Sequence, residues 1–98
     1  MIQHVMLFWF RADADARTVA SVLDGIAAFA TTVPSVEHVA MSANRGDAAR
    51  SAPYTHGAIL TFTDIQARDA FFVHETHVSV RERAMTVFGH LLTLSVES

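Results

Sequence analysis

The stretch Ile2 to Phe10, IQHVMLFWF, limits what this chain can fold into more than any other. Valine, leucine or an aromatic stands at nearly every position, and Gln3 and His4 are the only polar residues. It is far shorter than the roughly 20 residues of a membrane-spanning helix and has the length and composition of a β-strand. Alternation puts Ile2, His4, Met6, Phe8 and Phe10 on one face and Val5, Leu7 and Trp9 on the other. Both faces are apolar, so both must be covered. A chain of 98 residues has helices enough for one side. The other side calls for a second subunit.

The composition agrees. Hydrophobic residues make up 51% and charged residues 17%, against about 25% charged in an average soluble domain. A single domain of this size buries only about 60 to 65% of its unfolded surface, so a monomer would be marginal. Without cysteine there is no disulfide and no thiolate nucleophile, and a metal would have to use His, Asp or Glu. The seven basic residues are all arginines, scattered along a chain of net charge −3. That leaves no basic stripe for tracking phosphates, so a nucleic-acid partner is not expected. No apolar run is long enough for a membrane and no basic start precedes one, so a cytoplasmic protein is expected.

Beyond the first strand, Asp13 or Asp15 can cap a helix that runs to about Thr32, with Val19, Val22, Leu23, Ile26 and Phe29 along one face. Gly25 within it suggests close packing on the sheet. Pro34 stops the helix. Val36 to Ala43 alternates as a second strand, Asn44 to Pro53 is a loop, and His56 to Thr63 is a third strand. Thr63 or Asp64 can cap a second helix reaching about Val73, and Val78 to Val87 reads as a third, with Arg81, Glu82 and Arg83 on its wet side and Gly89 as its stop. His90 to Val96 is a fourth strand. The order β-α-β-β-α-α-β predicts an α+β domain of ferredoxin-like type spanning residues 1–98, with a four-stranded antiparallel sheet and helices on one face.

Histidine on an apolar strand is ordinarily a hydrogen-bonded core residue. His4 and His56 lie at corresponding points near the starts of two such strands, however, and His77 opens the third helix. Together they can line one cleft between sheet and helices, walled by Met6, Phe8, Leu60, Phe62, Phe71 and Ile26, with His74 beside them. Apolar walls around a few polar groups are the usual make-up of a small-ligand site, and a histidine there can be tuned to take a proton near neutral pH. His74-Glu75-Thr76-His77 is one residue short of HExxH, and neither a metal nor another cofactor is expected. The chain has no GxGxxG, no GxxxxGK[ST] and no GxSxG, which sets aside nucleotide loops and the serine-hydrolase elbow. Val5, Leu7, Trp9, Ile59 and Met41 are the residues expected at a dimer interface.

Four segments in order resemble the stress-responsive A/B barrel domain, or Dabb, family. They are Met1 to Phe10, Pro34-Ser35-Val36, Tyr54-Thr55-His56-Gly57, and His74-Glu75-Thr76-His77 in place of the family's HPxH. The resemblance implies a homodimer in which two ferredoxin-like subunits close a β-barrel, with a cleft inside each subunit. Some plant relatives are polyketide cyclases that condense a chain by an intramolecular aldol step. By position, their cleft histidines fall on His4, His56 and His77. The implied roles are proton removal alpha to a carbonyl by His77 and orientation of substrate oxygens by His4 and His56. Phe71 and Ile26 stand where those cyclases carry tyrosines, and Glu75 replaces the proline of HPxH, so cyclase-like proton transfer is the most the resemblance implies. The expectation is therefore a homodimer whose histidine-lined cleft binds or acts on a small hydrophobic carbonyl or aromatic compound. The alternative is a non-catalytic stress-responsive structural dimer.

Overall fold

The computed structural model describes residues 1–98. Its elements are β1 (Ile2–Phe10), α1 (Ala16–Ala27), α2 (Phe29–Thr32), β2 (His38–Ala43), α3 (Ala48–Ser51), β3 (His56–Phe62), α4 (Ile65–Val73), α5 (Glu75–Ala84) and β4 (Phe88–Glu97). The strands form one antiparallel sheet in the order β2-β3-β1-β4. The most apolar strand thus takes a central place. The helices lie on one face and the sheet does not close on itself, giving the expected ferredoxin-like α+β fold.

Strand alternation decides which side of β1 meets the helices. Ile2, His4 and Phe8 are buried there with Ala58, Leu60 and Phe62 of β3, against Val22 and Ile26 of α1, Phe29 of α2 and Phe71 of α4. Phe29 and Phe62 each pack on the Phe71 ring, with centroids 4.9 and 5.4 Å away. In register, His4 faces Leu60 on one side and Ser95 on the other, while Phe8 faces His56 and Leu91.

Side-chain caps set the helix boundaries. Asp15 accepts the Thr18 amide at 3.0 Å and starts α1, while Asp13 is drawn into an exposed pair with Arg11. The expected single helix to Thr32 breaks at Ala28, where α2 begins. Asp64 caps α4 by accepting the Ala67 amide at 2.8 Å. The Asn44 to Pro53 loop contains one helical stretch, α3, because Asp47 caps it by accepting the Ala49 amide at 2.9 Å.

The third predicted helix starts three residues early. His74 Nδ1 accepts the Thr76 amide at 3.1 Å, so the histidine ends α4 and caps α5 at once. Gly89 is not a helix stop. It is the residue left over where Trp9 pairs with His90 and Phe10 with Phe88, and a Cβ there would sit 2.6 Å from Trp9 Cδ1. Gly25 packs on α5 rather than on the sheet, since a Cβ would meet Val80 Cγ2 at 2.8 Å.

Candidate functional site

His4 and His77 come together in one cleft of about 250 Å³ between the sheet and α4 and α5. Met6, Ile26, Phe71, Phe72, Val80 and Leu91 supply apolar walls, and the polar lining is His4, His77, Arg81 and Thr93. The strands deliver this set by parity. Met6 faces Thr93 and His4 faces Ser95, so a stripe of small hydroxyls on β4 lies beside the inward face of β1.

His77 is held by the junction of α4 and α5. Its Nδ1 lies 3.0 Å from the Phe72 carbonyl oxygen. A carbonyl only accepts, so Nδ1 carries the hydrogen and Nε2 keeps its lone pair. The ring packs on Phe71 with centroids 4.3 Å apart. Burial pushes its pKa below the usual histidine range. The bond to Phe72 opposes that shift, and the Arg81 guanidinium adds to it. At neutral pH His77 is therefore an uncharged imidazole with a free basic nitrogen.

His4 is buried, and its Nδ1 lies 3.0 Å from Ser95 Oγ. Its ring meets the edge of Phe72 at a centroid distance of 5.2 Å, and Phe72 in turn lies 5.9 Å from the His77 ring. Burial is the main cause that lowers the His4 pKa, followed by the positive charges of Arg68 and of a protonated His77. Arg68 reaches over the outer face of Phe72, 5.6 Å from its centroid.

His56 does not join them. It shares the inward face of the sheet but sits four ladder positions from the level of His4, roughly 13 Å along the strand. There it stacks flat on Phe8 at 5.6 Å and hydrogen-bonds Thr55. It lines a separate, open concavity of about 590 Å³ with Leu7, Asn44, Arg50 and Tyr54. Burial lowers the His56 pKa as well.

The predicted wall divides in two. Met6, Ile26 and Phe71 line the cleft, whereas Phe8, Leu60 and Phe62 are fully buried in the core beneath it. His74 is turned away as the α5 cap. Arg81 and Thr93 were not foreseen, although Arg81 stands one helical turn after His77 and a residue at that spacing shares its face. No group of three or more His, Asp or Glu side chains is gathered where it could hold a metal ion.

The opposite face of the sheet is bare. Val5, Leu7 and Trp9 lie on it with Ile59 of β3, and β4 adds Leu92, Leu94 and Val96, each 42 to 50% exposed. Met41, expected here, pairs with Ala58 and packs against the core on the helix side. Parity alone accounts for the difference. No helix is long and apolar enough to cross a membrane.

Solved structures of the same fold bear out the architecture. At3g17210 from Arabidopsis thaliana superposes with a TM-score of 0.88 at 16% identity, over 100% of this chain and 95% of its own. A hydroxynitrile lyase from Passiflora edulis gives 0.84 at 11% identity, over 97% and 90%. A dimeric ferredoxin-like protein of unknown function from Jannaschia sp. CCS1 gives 0.83 at 21% identity, over 99% and 98%. No curated protein matches the chain in sequence. The family model of the stress responsive A/B barrel domain, Dabb, matches residues 2–95, and the chain belongs to that family.

Proposed function

We propose that the protein is a homodimer whose subunits each bind a small hydrophobic carbonyl compound between His4 and His77, and that His77 removes a proton alpha to the carbonyl. The observation that carries this reading is the hydrogen bond from His77 Nδ1 to the Phe72 carbonyl, which leaves Nε2 as a base beside an apolar cavity. With the Ser95 hydroxyl donating to His4 Nδ1, His4 Nε2 carries a hydrogen and donates to the substrate oxygen. Electrons leaving the carbon then collect on an oxygen that already has a donor. His56 has no part in this scheme because it lies outside the cleft. A volume of about 250 Å³ falls below the roughly 300 to 1,000 Å³ of drug-sized sites and suits a single substituted ring. The hydroxynitrile lyase among the fold neighbours supports a lyase or proton-transfer reaction on this scaffold. Phe71 and Ile26 offer no hydroxyl, so the two histidines carry the polar work.

Acetophenone in deuterium oxide tests the proposal, because loss of its methyl proton signal reports abstraction directly. The wild-type protein should accelerate exchange, and His77→Gln should slow it by about 100-fold or more, the usual contribution of a general base. Equal rates in the variant would remove His77 from the role. Acetophenone that neither binds nor exchanges would favour the non-catalytic dimer.

A further inference from the structure

The cleft has one permanently charged residue in its lining, and that residue is positive. Arg81 and His77 are four residues apart on α5 and share a helical face, which places their side chains about a turn apart at the cavity. No acidic side chain lines the cavity. Both ion pairs of the fold use other arginines, Arg11 with Asp13 and Arg68 with Asp69. The Arg81 guanidinium is thus exposed at the mouth without a carboxylate partner, in a protein whose net charge is −3. Thr93 offers a hydroxyl to the same space. Guanidinium groups bind carboxylates through two parallel N–H bonds, and an apolar chamber behind such a group favours a ligand with one greasy end and one anionic end.

We infer that the cleft is built for a small hydrophobic carboxylate, an oxo acid in the catalysed case, whose anionic group is held by Arg81 while its apolar part fills the space toward Phe71 and Ile26. The inference rests on the cleft reading above and adds the charge of the ligand to it. It also gives Arg81 a positioning duty: the carboxylate end is anchored at the mouth, so the carbon to be deprotonated lies inside, next to His77.

Phenylacetate and phenylacetamide, nearly equal in shape and different in charge, are the probes. Each is titrated into isotopically labelled protein while the His77 ring and Thr93 amide resonances are followed, with acetophenone as the neutral reference. Phenylacetate should bind about fivefold more tightly than phenylacetamide, the scale of a solvent-exposed ion pair. Arg81→Gln should abolish that preference by weakening phenylacetate alone, and Arg81→Lys should keep part of it. Equal affinities in the wild type, or a preference that survives Arg81→Gln, would overturn the inference. If phenylacetamide and acetophenone shift His77 but the carboxylate has no advantage, only the charge assignment fails. If no probe shifts His77, the cleft reading fails with it. Arg81 is exposed, so an unchanged thermal melt for both variants confirms that binding and not folding is read.

Discussion

A histidine with a lowered pKa ties the chemistry of the site to the stability of the protein. Burial holds His77, His4 and His56 below their unfolded value of 6.5. Above that pH the folded and unfolded chains are both neutral at these positions, and no stability depends on them. As the pH falls through 6.5 the unfolded chain takes up protons first, so the folded state loses ground, and the loss levels off once the folded histidines are protonated too. Thermal or urea unfolding between pH 7.5 and 5 should therefore show falling stability, with a shallower slope in His4→Gln because one of the three groups is gone. A slope unchanged by that substitution would clear His4 of any part in it. The same shift sets the working range of the base: the acetophenone exchange rate should stay near its plateau down to pH 6.5 and reach half its value below it. The histidine types and their strand faces were legible in the sequence. Their distances were not, because alternation gives the side of a sheet and says nothing of how far along the ladder two residues stand. His4 and His56 satisfy the same parity and are still four positions apart.

At the scale of elements, α1 and α5 meet where a side chain is missing. Gly25 lets Val80, 5% exposed, press against the α1 backbone, and a Cβ would stand 2.8 Å from Val80 Cγ2. Alanine would add about 1 kcal/mol of helix propensity. Overpacking in a tight interior costs about 1 to 3 kcal/mol, and a valine has little rotamer freedom with which to yield. Gly25→Ala should thus lower stability by about 1 kcal/mol, read as an earlier urea midpoint at constant slope, although an exposed helix site would gain from the change. A later midpoint would show that Val80 can move aside. The cleft lies on the other side of this contact, since Val80 and Ile26 both line it. Element identity was readable from apolar spacing, and the caps at Asp15 and Asp64 were foreseen among pairs of alternatives. The start of α5 was not, because a histidine acting as an N-cap breaks the usual preference for Ser, Thr, Asp or Asn. Assigning Arg81 to the wet side of that helix hid the face it shares with His77. Gly89 misled for a similar reason, since a glycine required by an approaching indole looks in sequence like one that ends a helix.

The whole molecule is a slab of two layers, 35 × 28 × 17 Å, with helices on one side and nothing on the other. Its accessible surface of 5877 Å² exceeds the roughly 5,500 Å² expected for a compact monomer of its mass. The excess has a location. Ile59, Leu92, Leu94 and Val96 are 42 to 50% exposed on one sheet face, around the partly covered Val5 and Leu7. The double apolar character of β1 pointed to this face, but β4 is equally part of it, and Leu91 next to Leu92 concealed that Leu92, Leu94 and Val96 face away from the helices while Leu91 faces toward them. If this face is where two copies of the chain meet, a charge within its apolar patch must break them apart. Leu94 lies directly across from Val5 in the β1–β4 ladder. Burying an unpaired carboxylate there would cost several kcal/mol per subunit, enough to shift a dimer of ordinary affinity by more than a thousandfold. Sedimentation velocity at micromolar protein should show a dimer for the wild type and a folded monomer, or insoluble material, for Leu94→Glu. The matched control is Val73→Glu, which puts the same charge on an apolar residue 78% exposed at the end of α4, away from the sheet. It should leave the dimer intact. A dimer lost with Val73→Glu and kept with Leu94→Glu would move the interface to the helical layer.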